Sequence, residues 1–382
     1  MKRIISSLLA ALLFLGGICV HAEKADTTKL ETEAKACFLT EASTGEVLYE
    51  DNADEQLPIA SVTKIMTMLL IMEQIDAGTL GFDTMISVSE NAMSYGGSTM
   101  FLEAGEQLPV HDMLKGIAVA SANDGCVAMA EHIAGSESAF VDMMNKRASE
   151  LGMKNTHFMN TNGLDEDNHY SSARDVAIMS RELMKHEKIT EYTSIWTDSL
   201  RGGKFELANT NKLIRFYTGA NGLKTGSTSK ALCCLSAAAK RDDMQLIAVV
   251  LGAPTSAKRF DSARKLLDYG FANYGIKKLV EKGEEVSKET ILKGEKESFS
   301  AVAEEGLTEL IKKTDSSECE KQIEIDHDIT APIHIGDRVG TIRFVRNGEE
   351  VGSVAVVSAE DVEKQGIRAI MVGFLQMMLG KK

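Results

Sequence analysis

The sequence predicts an α/β fold: an antiparallel sheet flanked by helices and joined to a helical lobe, followed by a small, mostly-β C-terminal domain. Strand patterns lie at both ends of the first 275 residues, within 36–50 and 223–251. The stretch between them is helical almost throughout. Beyond Gly275 the composition shifts to charged segments and hairpin signals, which is typical of a second domain.

Length and charge limit the class of protein. A chain of 382 residues with 44% hydrophobic residues can bury a substantial core and is long enough for about two domains. The formal net charge is −14, and removing the first 22 residues, with Lys2 and Arg3 and no acidic residue, takes two positive charges and leaves −16. We therefore expect no nucleic-acid partner.

Residues 1–22 are typical of a secretory signal peptide. Lys2 and Arg3 precede an apolar run over residues 4–20, and Val20-His21-Ala22 supplies a small-residue cleavage site. The alternative, a transmembrane anchor, is less favoured because the apolar run is short. We expect an exported protein that is cut after Ala22.

A β-hairpin is predicted from residues 36–40 and 47–50, which flank the turn Ser43-Thr44-Gly45. A buried helix is expected next, beginning near Ser61 and ending near Ala77. The apolar run within it is too long for an ordinary strand. The hairpin thus delivers the chain to this helix.

The middle of the chain is predicted to be nearly all helix. Helical patterns occupy residues 110–120, 126–133, 138–151 and 172–185. Ser171 or Ser172 is placed to cap the last of them, after a polar loop over residues 161–170. Two apolar strands at 232–239 and 244–251 and an amphipathic helix at 258–274 then complete the first domain.

The domain boundary is placed near residue 276. We expect a first domain over residues 33–275 and a β-rich domain over residues 276–360, in which Asn347-Gly348 marks a hairpin. Residues 361–382 carry an apolar stretch that is too short to span a membrane and too apolar for a free tail. It predicts an amphipathic helix that anchors the chain at a membrane surface, and the alternative is a helix packed on the β-rich domain.

The cysteines do not form a disulfide framework. Once the predicted signal peptide is removed, an odd and scattered set remains: Cys37, Cys126, Cys233, Cys234 and Cys319. No pair among them has the spacing of a metal site. We expect buried free thiols.

Ser61 and Lys64 form the first candidate site. A spacing of three residues puts both side chains on one face of a helix, and a lysine desolvated by apolar neighbours can take a proton from the serine hydroxyl. The spacing alone is weak, because Ser227-Thr228-Ser229-Lys230 and Ser262-Ala263-Arg264-Lys265 share it. The apolar helix that follows distinguishes Ser61.

Three short motifs stand in one order: Ser61-Val62-Thr63-Lys64, Ser121-Ala122-Asn123 and Lys224-Thr225-Gly226. Ser89-Glu90-Asn91 matches the second motif by accident. With the wider blocks around these motifs, the chain resembles the D-alanyl-D-alanine carboxypeptidases of bacterial cell walls, the low-molecular-weight penicillin-binding proteins. The resemblance extends from about residue 33 to the C-terminal helix.

The resemblance implies a serine peptidase with a β-lactamase-like and transpeptidase-like fold. Ser61 would attack the carbonyl between the two terminal D-alanines and form an acyl-enzyme, with Lys64 as proton acceptor. Ser121 would relay a proton to the leaving amine, and Asn123 would hold the substrate backbone and Lys64. Since both ends of the domain must reach Ser61, the strands before it and after Lys224 should share one antiparallel sheet.

Substrate binding is assigned to the third motif and its neighbours. Lys224 would favour neutral Lys64 and an anionic substrate end, Thr225 offers a hydroxyl, and Gly226 allows close approach of the substrate backbone. By resemblance the oxyanion hole is formed by the backbone N–H groups of Ser61 and Ser227.

Two residues outside the motifs complete the predicted site. Arg259 matches the position proposed to clamp the terminal carboxylate, and the alternative is a solvated arginine at a helix start. His169 is expected to be structural. One departure from the family is Leu232-Cys233, where many relatives carry Gly-Tyr.

The leading hypothesis is an exported carboxypeptidase that trims peptidoglycan pentapeptide stems at the outer face of the cytoplasmic membrane and is acylated by β-lactams. No metal or organic cofactor is expected. A β-lactamase of the same fold is an alternative, with Glu166 as a nominal carboxylate for the deacylating water. A non-catalytic peptidoglycan-binding protein is a third possibility, against which the intact motifs argue.

Overall fold

The structure, a computed structural model, describes residues 29–367 together with residues 371, 372 and 378. The signal peptide predicted over residues 1–22 lies outside the described residues, and so does most of the predicted terminal helix. In the part of the chain that is described, no helix is long and apolar enough to cross a membrane.

The strands and helices alternate along the first domain and give way to strands alone in the second. The strands are β1 (Ala36–Glu41), β2 (Val47–Asp51), β3 (Met85–Ser87), β4 (Gln107–Pro109), β5 (Thr197–Leu200), β6 (Phe205–Ala208), β7 (Ala220–Thr228), β8 (Leu232–Arg241), β9 (Met244–Ala253), β10 (Tyr274–Val280), β11 (Glu285–Thr290), β12 (Ser298–Ala303), β13 (Leu307–Lys312), β14 (Cys319–Ile325), β15 (Arg338–Arg346) and β16 (Glu349–Ser358). The helices are α1 (Lys64–Asp76), α2 (Glu90–Ser94), α3 (Val110–Lys115), α4 (Asn123–Ala134), α5 (Glu137–Glu150), α6 (Ala173–Met184), α7 (Ile189–Thr193), α8 (Leu213–Phe216) and α9 (Ser256–Asn273).

The centre of the first domain is a five-stranded antiparallel sheet in the order β2-β1-β9-β8-β7. The two ends of the domain therefore meet in one sheet, as the sequence predicts. Phe38 on β1 lies opposite Val249 on β9, and Lys224 on β7 lies opposite Ser236 on β8. β7 is an edge strand, so its outer side is open to pairing with a peptide backbone.

The sheet separates two hydrophobic cores because successive strand residues point to opposite faces. Phe38 belongs to the core shared with the helical lobe, whereas its neighbours Cys37 and Leu39 belong to the core covered by α9. α1 is buried at every position from Lys64 to Met72. A helix that is apolar on all sides is typical of the centre of a domain, so α1 is enclosed by the helical lobe and the sheet.

The helical middle agrees with the prediction in most respects. Ser172 caps α6 by accepting a hydrogen bond from the backbone N–H of Asp175 at 3.2 Å, which decides between the two predicted caps. The predicted helix over 110–120 is α3 followed by a π-helical turn over Gly116–Ala120. The short hairpins β3–β4 and β5–β6 were not predicted, since strands of three or four residues carry little periodicity.

The second domain is all strand among its described residues. β11-β12-β16-β15-β14 form one antiparallel sheet, and β10 pairs with β13. The predicted hairpin turn is present between β15 and β16, where Asn347 and Gly348 both have positive φ. The fold class predicted from the sequence is therefore confirmed. The cysteines among the described residues, Cys37, Cys126, Cys233, Cys234 and Cys319, are free thiols.

Candidate active site

Ser61 lies in a 3-10 turn, Ala60–Thr63, that leads directly into α1. Two glycines approach this turn closely. A Cβ atom at Gly226 would lie 2.8 Å from the backbone nitrogen of Ser61, and one at Gly163 would lie 1.9 Å from the carbonyl oxygen of Ala60. β7 and the polar loop are therefore pressed against the turn that carries the serine, and only glycine fits at either contact.

Lys64 is fully buried, and its Nζ atom has three acceptors. It donates to Ser61 Oγ at 2.9 Å, to Asn123 Oδ1 at 2.7 Å and to the carbonyl oxygen of Asn162 at 2.6 Å. An ammonium group has three N–H donors, so each finds a partner. Burial lowers the pKa of Lys64 to about 8, against smaller opposing effects of Cys126 and Asp124. Neutral Lys64 can accept the proton of the Ser61 hydroxyl across this contact.

The second motif reaches the site through Asn123. Its backbone N–H donates to the carbonyl of Ser98 at 2.8 Å and its Nδ2 donates to the carbonyl of Gly96 at 2.7 Å, so its Oδ1 faces Lys64. Ser121, also buried, follows the π-helical turn with φ of 64°. Within the described part of the chain, its hydroxyl makes no hydrogen bond with Ser61 or Lys64.

Lys224 is buried on β7, and its Nζ donates to the carbonyl oxygen of Thr225 at 2.9 Å. Burial holds the pKa of Lys224 well below its ordinary value, and the charge of Lys64 lowers it further. Two causes of a neutral Lys64 were expected: desolvation by its apolar neighbours and the charge of Lys224. The structure gives burial as the main cause of the lowered pKa of Lys64.

The rest of the third motif lies at the open edge of the sheet. The Thr225 hydroxyl is 2.6 Å from that of Thr210, a residue that no sequence motif singles out. Ser227 lies opposite Cys233 on β8, with its Oγ 3.8 Å from the Cys233 sulfur. The departure from the family thus falls beside Ser227, where a small thiol replaces a larger side chain.

Arg259 is buried, and its guanidinium lies against the backbone of β7 and β8. One terminal nitrogen donates to the carbonyl oxygens of Gly226 at 3.1 Å and Cys234 at 3.3 Å, and the other donates to Ser256 Oγ at 3.1 Å. Burial lowers the pKa of Arg259. The alternative of a solvated arginine is therefore wrong, because the guanidinium is held against the backbone of the third motif.

The polar loop over residues 161–170 contacts both the Ser61 turn and the turn after β7. The three motifs did not predict this role of the loop. Asn162 supplies the carbonyl that accepts a hydrogen bond from Lys64. In the sequence, the dipeptide Asn162-Gly163 indicates only a turn at this place. Asp165 accepts from the Thr228 hydroxyl at 2.6 Å and from the backbone N–H of Lys230 at 3.3 Å. The loop therefore links the Ser61 turn to the turn after β7.

His169 is structural, as expected. Its Nδ1 accepts from the backbone N–H of Met159 at 3.1 Å, so in the neutral ring Nε2 carries the proton and donates to Thr63 Oγ1 at 2.8 Å. Thr63 in turn donates to the carbonyl oxygen of Ala60 at 2.8 Å. Burial lowers the pKa of His169 to about 4, and the charge of His157 acts in the same direction.

The competing motif matches lie elsewhere. Lys230 forms an ion pair with Asp167, and Lys265 forms one with Asp261, both at the surface. Ser89 caps α2 instead of entering a site. Glu166, the nominal β-lactamase carboxylate, is exposed and accepts a hydrogen bond from Asn160 at 3.1 Å. Among the described residues, neither Ser61 nor Lys64 has a hydrogen bond to a carboxylate.

A serine hydrogen-bonded to a buried lysine of lowered pKa, between an antiparallel sheet and a helical lobe, is typical of enzymes that form an acyl-enzyme on serine. The comparisons with known proteins agree. A family model described as D-alanyl-D-alanine carboxypeptidase matches residues 21–255, and one described as penicillin-binding protein 5, C-terminal domain, matches residues 274–364. The chain belongs to the D-alanyl-D-alanine carboxypeptidase family and is a hydrolase.

Individual relatives match over most of the chain. The D-alanyl-D-alanine carboxypeptidase DacF of Bacillus subtilis (strain 168) is 44% identical, over 100% of this chain and 98% of its own. Penicillin binding protein 5 from Haemophilus influenzae superimposes with a TM-score of 0.72 at 32% identity, over 89% of this chain and 100% of that one. Penicillin-binding protein D2 from Listeria monocytogenes, in its ampicillin-bound form, gives a TM-score of 0.56 at 33% identity, over 64% of this chain and 99% of that one.

Proposed function

We propose that this enzyme removes the terminal D-alanine from peptidoglycan pentapeptide stems through an acyl-enzyme on Ser61. The observation that carries the proposal is the 2.9 Å contact between Lys64 Nζ and Ser61 Oγ in a fully buried setting. With a pKa of about 8, Lys64 is neutral in about one molecule in ten at pH 7. That fraction provides a base matched to neutral pH.

The reaction has two steps. In the first, the Ser61 oxygen bonds to the carbonyl carbon between the two D-alanines, the carbon–nitrogen bond breaks, and Lys64 takes the hydroxyl proton. We assign to Ser121 the relay of this proton from Lys64 to the leaving amine, so that Lys64 and Ser121 end the step in their starting protonation states. In the second step a water attacks the ester, the bond to Ser61 breaks, and the shortened peptide leaves as an acid while Ser61 regains its proton.

Substrate binding is assigned to the open edge of β7. Lys224, Thr225, Gly226 and Ser227 lie on this edge strand, which contacts the Ser61 turn at Gly226 and can pair with a peptide backbone. We assign the oxyanion hole to the backbone N–H groups of Ser61 and Ser227. Arg259 adds positive charge for the terminal carboxylate and holds the carbonyl of Gly226.

We further propose that β-lactams acylate Ser61. The ampicillin-bound structure of the Listeria relative supports this, since that protein shares the fold at 33% identity. Mass spectrometry of a penicillin adduct after digestion should place the added mass on the peptide that contains Ser61. An adduct on any other peptide would overturn the assignment.

The deciding experiment measures D-alanine release from a pentapeptide by the wild type and by Ser61→Ala. We expect release by the wild type alone, and equal release by both would refute the proposal. Penicillin turnover separates a carboxypeptidase from a β-lactamase, because the first should stay acylated for long periods. A binding protein without activity would release no D-alanine in either form.

We propose an extracytoplasmic position, with the terminal segment at the membrane surface. Four apolar residues of that segment are exposed: Ile367, Met371, Val372 and Met378 are 78%, 61%, 53% and 73% exposed. That exposure favours a membrane interface over packing on the β-rich domain.

We also propose the domain limits 33–275 and 276–360, which the end of α9 at Asn273 supports.

A further inference from the structure

Two of the three acceptors of Lys64 depend on segments that are neither helix nor strand. The carbonyl of Asn162 belongs to the polar loop. The Oδ1 atom of Asn123 faces Lys64 because the amide nitrogen of the same side chain donates to the carbonyl of Gly96 at 2.7 Å. Gly96 lies in an irregular stretch just after α2. The position of Lys64 therefore depends on what fixes these two segments.

Glu137, the first residue of α5, binds both segments through its half-buried carboxylate. Its Oε1 accepts from the backbone N–H of Thr161 at 3.2 Å and from the Thr161 hydroxyl at 2.8 Å. Its Oε2 accepts from the hydroxyl of Tyr95. In the sequence Thr161 directly precedes Asn162, and Tyr95 directly precedes Gly96. One carboxylate thus holds the residue before each of the two carbonyls.

The link to the polar loop is held from two sides. Thr67, on the same helix as Lys64, donates its hydroxyl to the carbonyl of Thr161 at 2.6 Å. Glu137 binds the amide and the hydroxyl of the same threonine, and hydrogen bonds to an ionised carboxylate are about twice as strong as neutral ones. The backbone just before Asn162 is therefore fixed between α1 and α5.

The link to the other segment runs through Tyr95. Burial raises the pKa of Tyr95 well above its ordinary value, and its hydrogen bond with Glu137 raises that pKa further, so the hydroxyl keeps its proton and donates. The residues that follow hold Asn123 closely. Its backbone N–H donates to the carbonyl of Ser98 at 2.8 Å, and a Cβ atom at Gly97 would lie 3.0 Å from its Nδ2. A shift of Tyr95 would therefore move the Asn123 amide.

We infer that Glu137 is a positioning residue, which fixes both acceptors and so keeps Lys64 in place as the base for Ser61. It acts through Tyr95 and Thr161, because in the described part of the chain its own carboxylate makes no hydrogen bond with either member of that pair. The inference deepens the proposed acyl-enzyme reaction and rests on it. Loss of Glu137 should slow the acylation step and leave the non-covalent affinity for the acylating compound unchanged.

Stopped-flow acylation of the full chain by benzylpenicillin tests the inference. A series of penicillin concentrations separates the dissociation constant of the non-covalent complex from the rate constant of acylation. For Glu137→Ala we expect the rate constant to fall by about tenfold or more and the dissociation constant to stay within about twofold. An unchanged rate constant, or a loss of affinity alone, would overturn the inference.

Glu137→Gln separates positioning from charge. The glutamine oxygen can accept from Thr161 while its nitrogen donates to the Tyr95 oxygen, so both links persist without the negative charge. We expect the acylation rate constant of this variant to stay within about threefold of the wild type. A loss as large as that of Glu137→Ala would show that Glu137 acts by its charge and not by these contacts.

Glu131→Ala is the matched control. Glu131 is also half-buried, and its two carboxylate oxygens accept from Ser89 Oγ at 2.5 Å and from Asn91 Nδ2 at 2.8 Å. It ties α4 to the start of α2, which holds no acceptor of Lys64. We expect both alanine variants to lower the melting temperature, but only Glu137→Ala to slow acylation beyond about twofold. Equal slowing in the two variants would mean a general structural effect and refute the inference.

Tyr95→Phe keeps the test decisive if circular dichroism shows that Glu137→Ala is unfolded. It removes one donor and keeps the ring, so acylation should slow by about threefold or more, and an unchanged rate constant would then overturn the inference. The wild type serves as the reference for the proposed function. If benzylpenicillin does not acylate Ser61 in the wild type, the proposed function fails and this inference fails with it. Acylation of the wild type with no effect of Glu137→Ala refutes the inference alone.

Discussion

Lys64 owes its chemistry to its position in the structure. The same spacing from a serine occurs at Lys230 and Lys265, yet those two lysines lie at the surface and pair with carboxylates. Lys64 is buried, pairs with no carboxylate among the described residues, and faces a hydroxyl, an amide oxygen and a carbonyl. Neutral acceptors stabilise an ammonium group less than a carboxylate does, so the proton can leave.

The role of Lys64 as base predicts a defined response to Lys64→Arg. Arginine stays protonated at every accessible pH, so acylation by benzylpenicillin should slow by about 10² to 10⁴-fold. In the wild type, kcat/KM should fall about tenfold per pH unit below the Lys64 pKa of about 8. Stopped-flow acylation rates and a pH profile check both. A Lys64→Arg rate within tenfold of wild type would exclude Lys64 as the base.

The lowered pKa of His169 predicts that the free energy of unfolding decreases in acid. Its pKa is about 4 in the folded protein and 6.5 in the unfolded chain, so below pH 6.5 the unfolded state binds more protons. The stabilisation is present above pH 6.5 and is lost as the pH falls toward 4. Between about pH 7.5 and pH 5, the free energy of unfolding should drop by on the order of 2 kcal/mol more in wild type than in His169→Ala.

Urea unfolding followed by the fluorescence of Trp196, the sequence's one tryptophan, measures this difference in the first domain. His169→Ala should be less stable than wild type at pH 7.5 because Thr63 loses its donor. The two proteins should differ least at low pH. An equal loss of stability in both proteins on acidification would show that His169 does not titrate in this range.

At the scale of elements, the polar loop over residues 161–170 connects the Ser61 turn with the strand β7. It binds Lys64 through the carbonyl of Asn162, contacts the Ser61 turn at Gly163 and reaches the turn after β7 through Asp165. Ser61 and Lys224, in the first and third motifs, are about 160 residues apart along the chain. The loop therefore fixes their relative position.

Gly163 offers a test with a matched control. Gly163 and Gly152 both have positive φ, so alanine at either position costs about 1 kcal/mol from backbone strain. Only at Gly163 would the new Cβ meet the carbonyl of Ala60, because Gly152 has nothing within 4 Å. Gly163→Ala should slow penicillin acylation by about 10² or more, and Gly152→Ala should not change it. Equal acylation rates in both variants would show that the contact between Gly163 and Ala60 does not affect catalysis.

A variant of Asp165 tests whether the polar loop positions Ser227, whose backbone N–H is assigned to the oxyanion hole. Asp165→Ala removes the hydrogen bonds to Thr228 and Lys230, so the turn after Ser227 should move and kcat should fall by about tenfold or more. The control Asp167→Ala removes an exposed ion pair with Lys230 and should leave kcat within about twofold. Both variants should keep the melting temperature within a few degrees, about 1 kcal/mol. Loss of kcat in Asp167→Ala alone would contradict the assignment.

At the scale of the whole molecule, the sequence predicted what depends on local pattern. The apolar run of α1, the motif order and the Asn347-Gly348 turn gave the fold class and placed Ser61, Lys64 and Asn123 near one another. Contacts such as Lys64 with the carbonyl of Asn162 join residues 98 apart and involve a backbone atom. No side-chain pattern encodes such backbone contacts, and the contact of the Thr210 hydroxyl with Thr225 was missed because Thr210 belongs to no motif.

Burial is the other property that a motif does not carry. At the start of a helix, Arg259 fitted a carboxylate clamp and a solvated arginine equally well, and the packing of α9 on β8 and β9 is what buries it. For Lys64 the apolar run after it did predict desolvation, and burial is the main cause of its lowered pKa, whereas Lys224 is not among the causes. The burial of Lys64 therefore followed from a local apolar run, whereas no local pattern predicted the burial of Arg259.

The charge of the whole chain decides how the terminal segment could hold a membrane. With 56 acidic against 42 basic residues, the protein is repelled by an anionic lipid surface, so any attachment must come from apolar burial. The exposed Ile367, Met371, Val372 and Met378 supply apolar surface for it. Binding of this origin is insensitive to salt, because screening acts on charges and leaves apolar burial in place.

We therefore predict that the chain binds vesicles of neutral phosphatidylcholine and stays bound when the salt concentration is raised to about 0.5 M, where the Debye length is only a few Å. Deleting residues 361–382 should abolish vesicle binding by at least about tenfold and leave pentapeptide cleavage in solution unchanged, since these residues lie outside the proposed catalytic domain. Co-sedimentation and D-alanine release measure the two effects. Release of the chain from vesicles by salt would show that charge, and not the apolar segment, holds the enzyme at the surface.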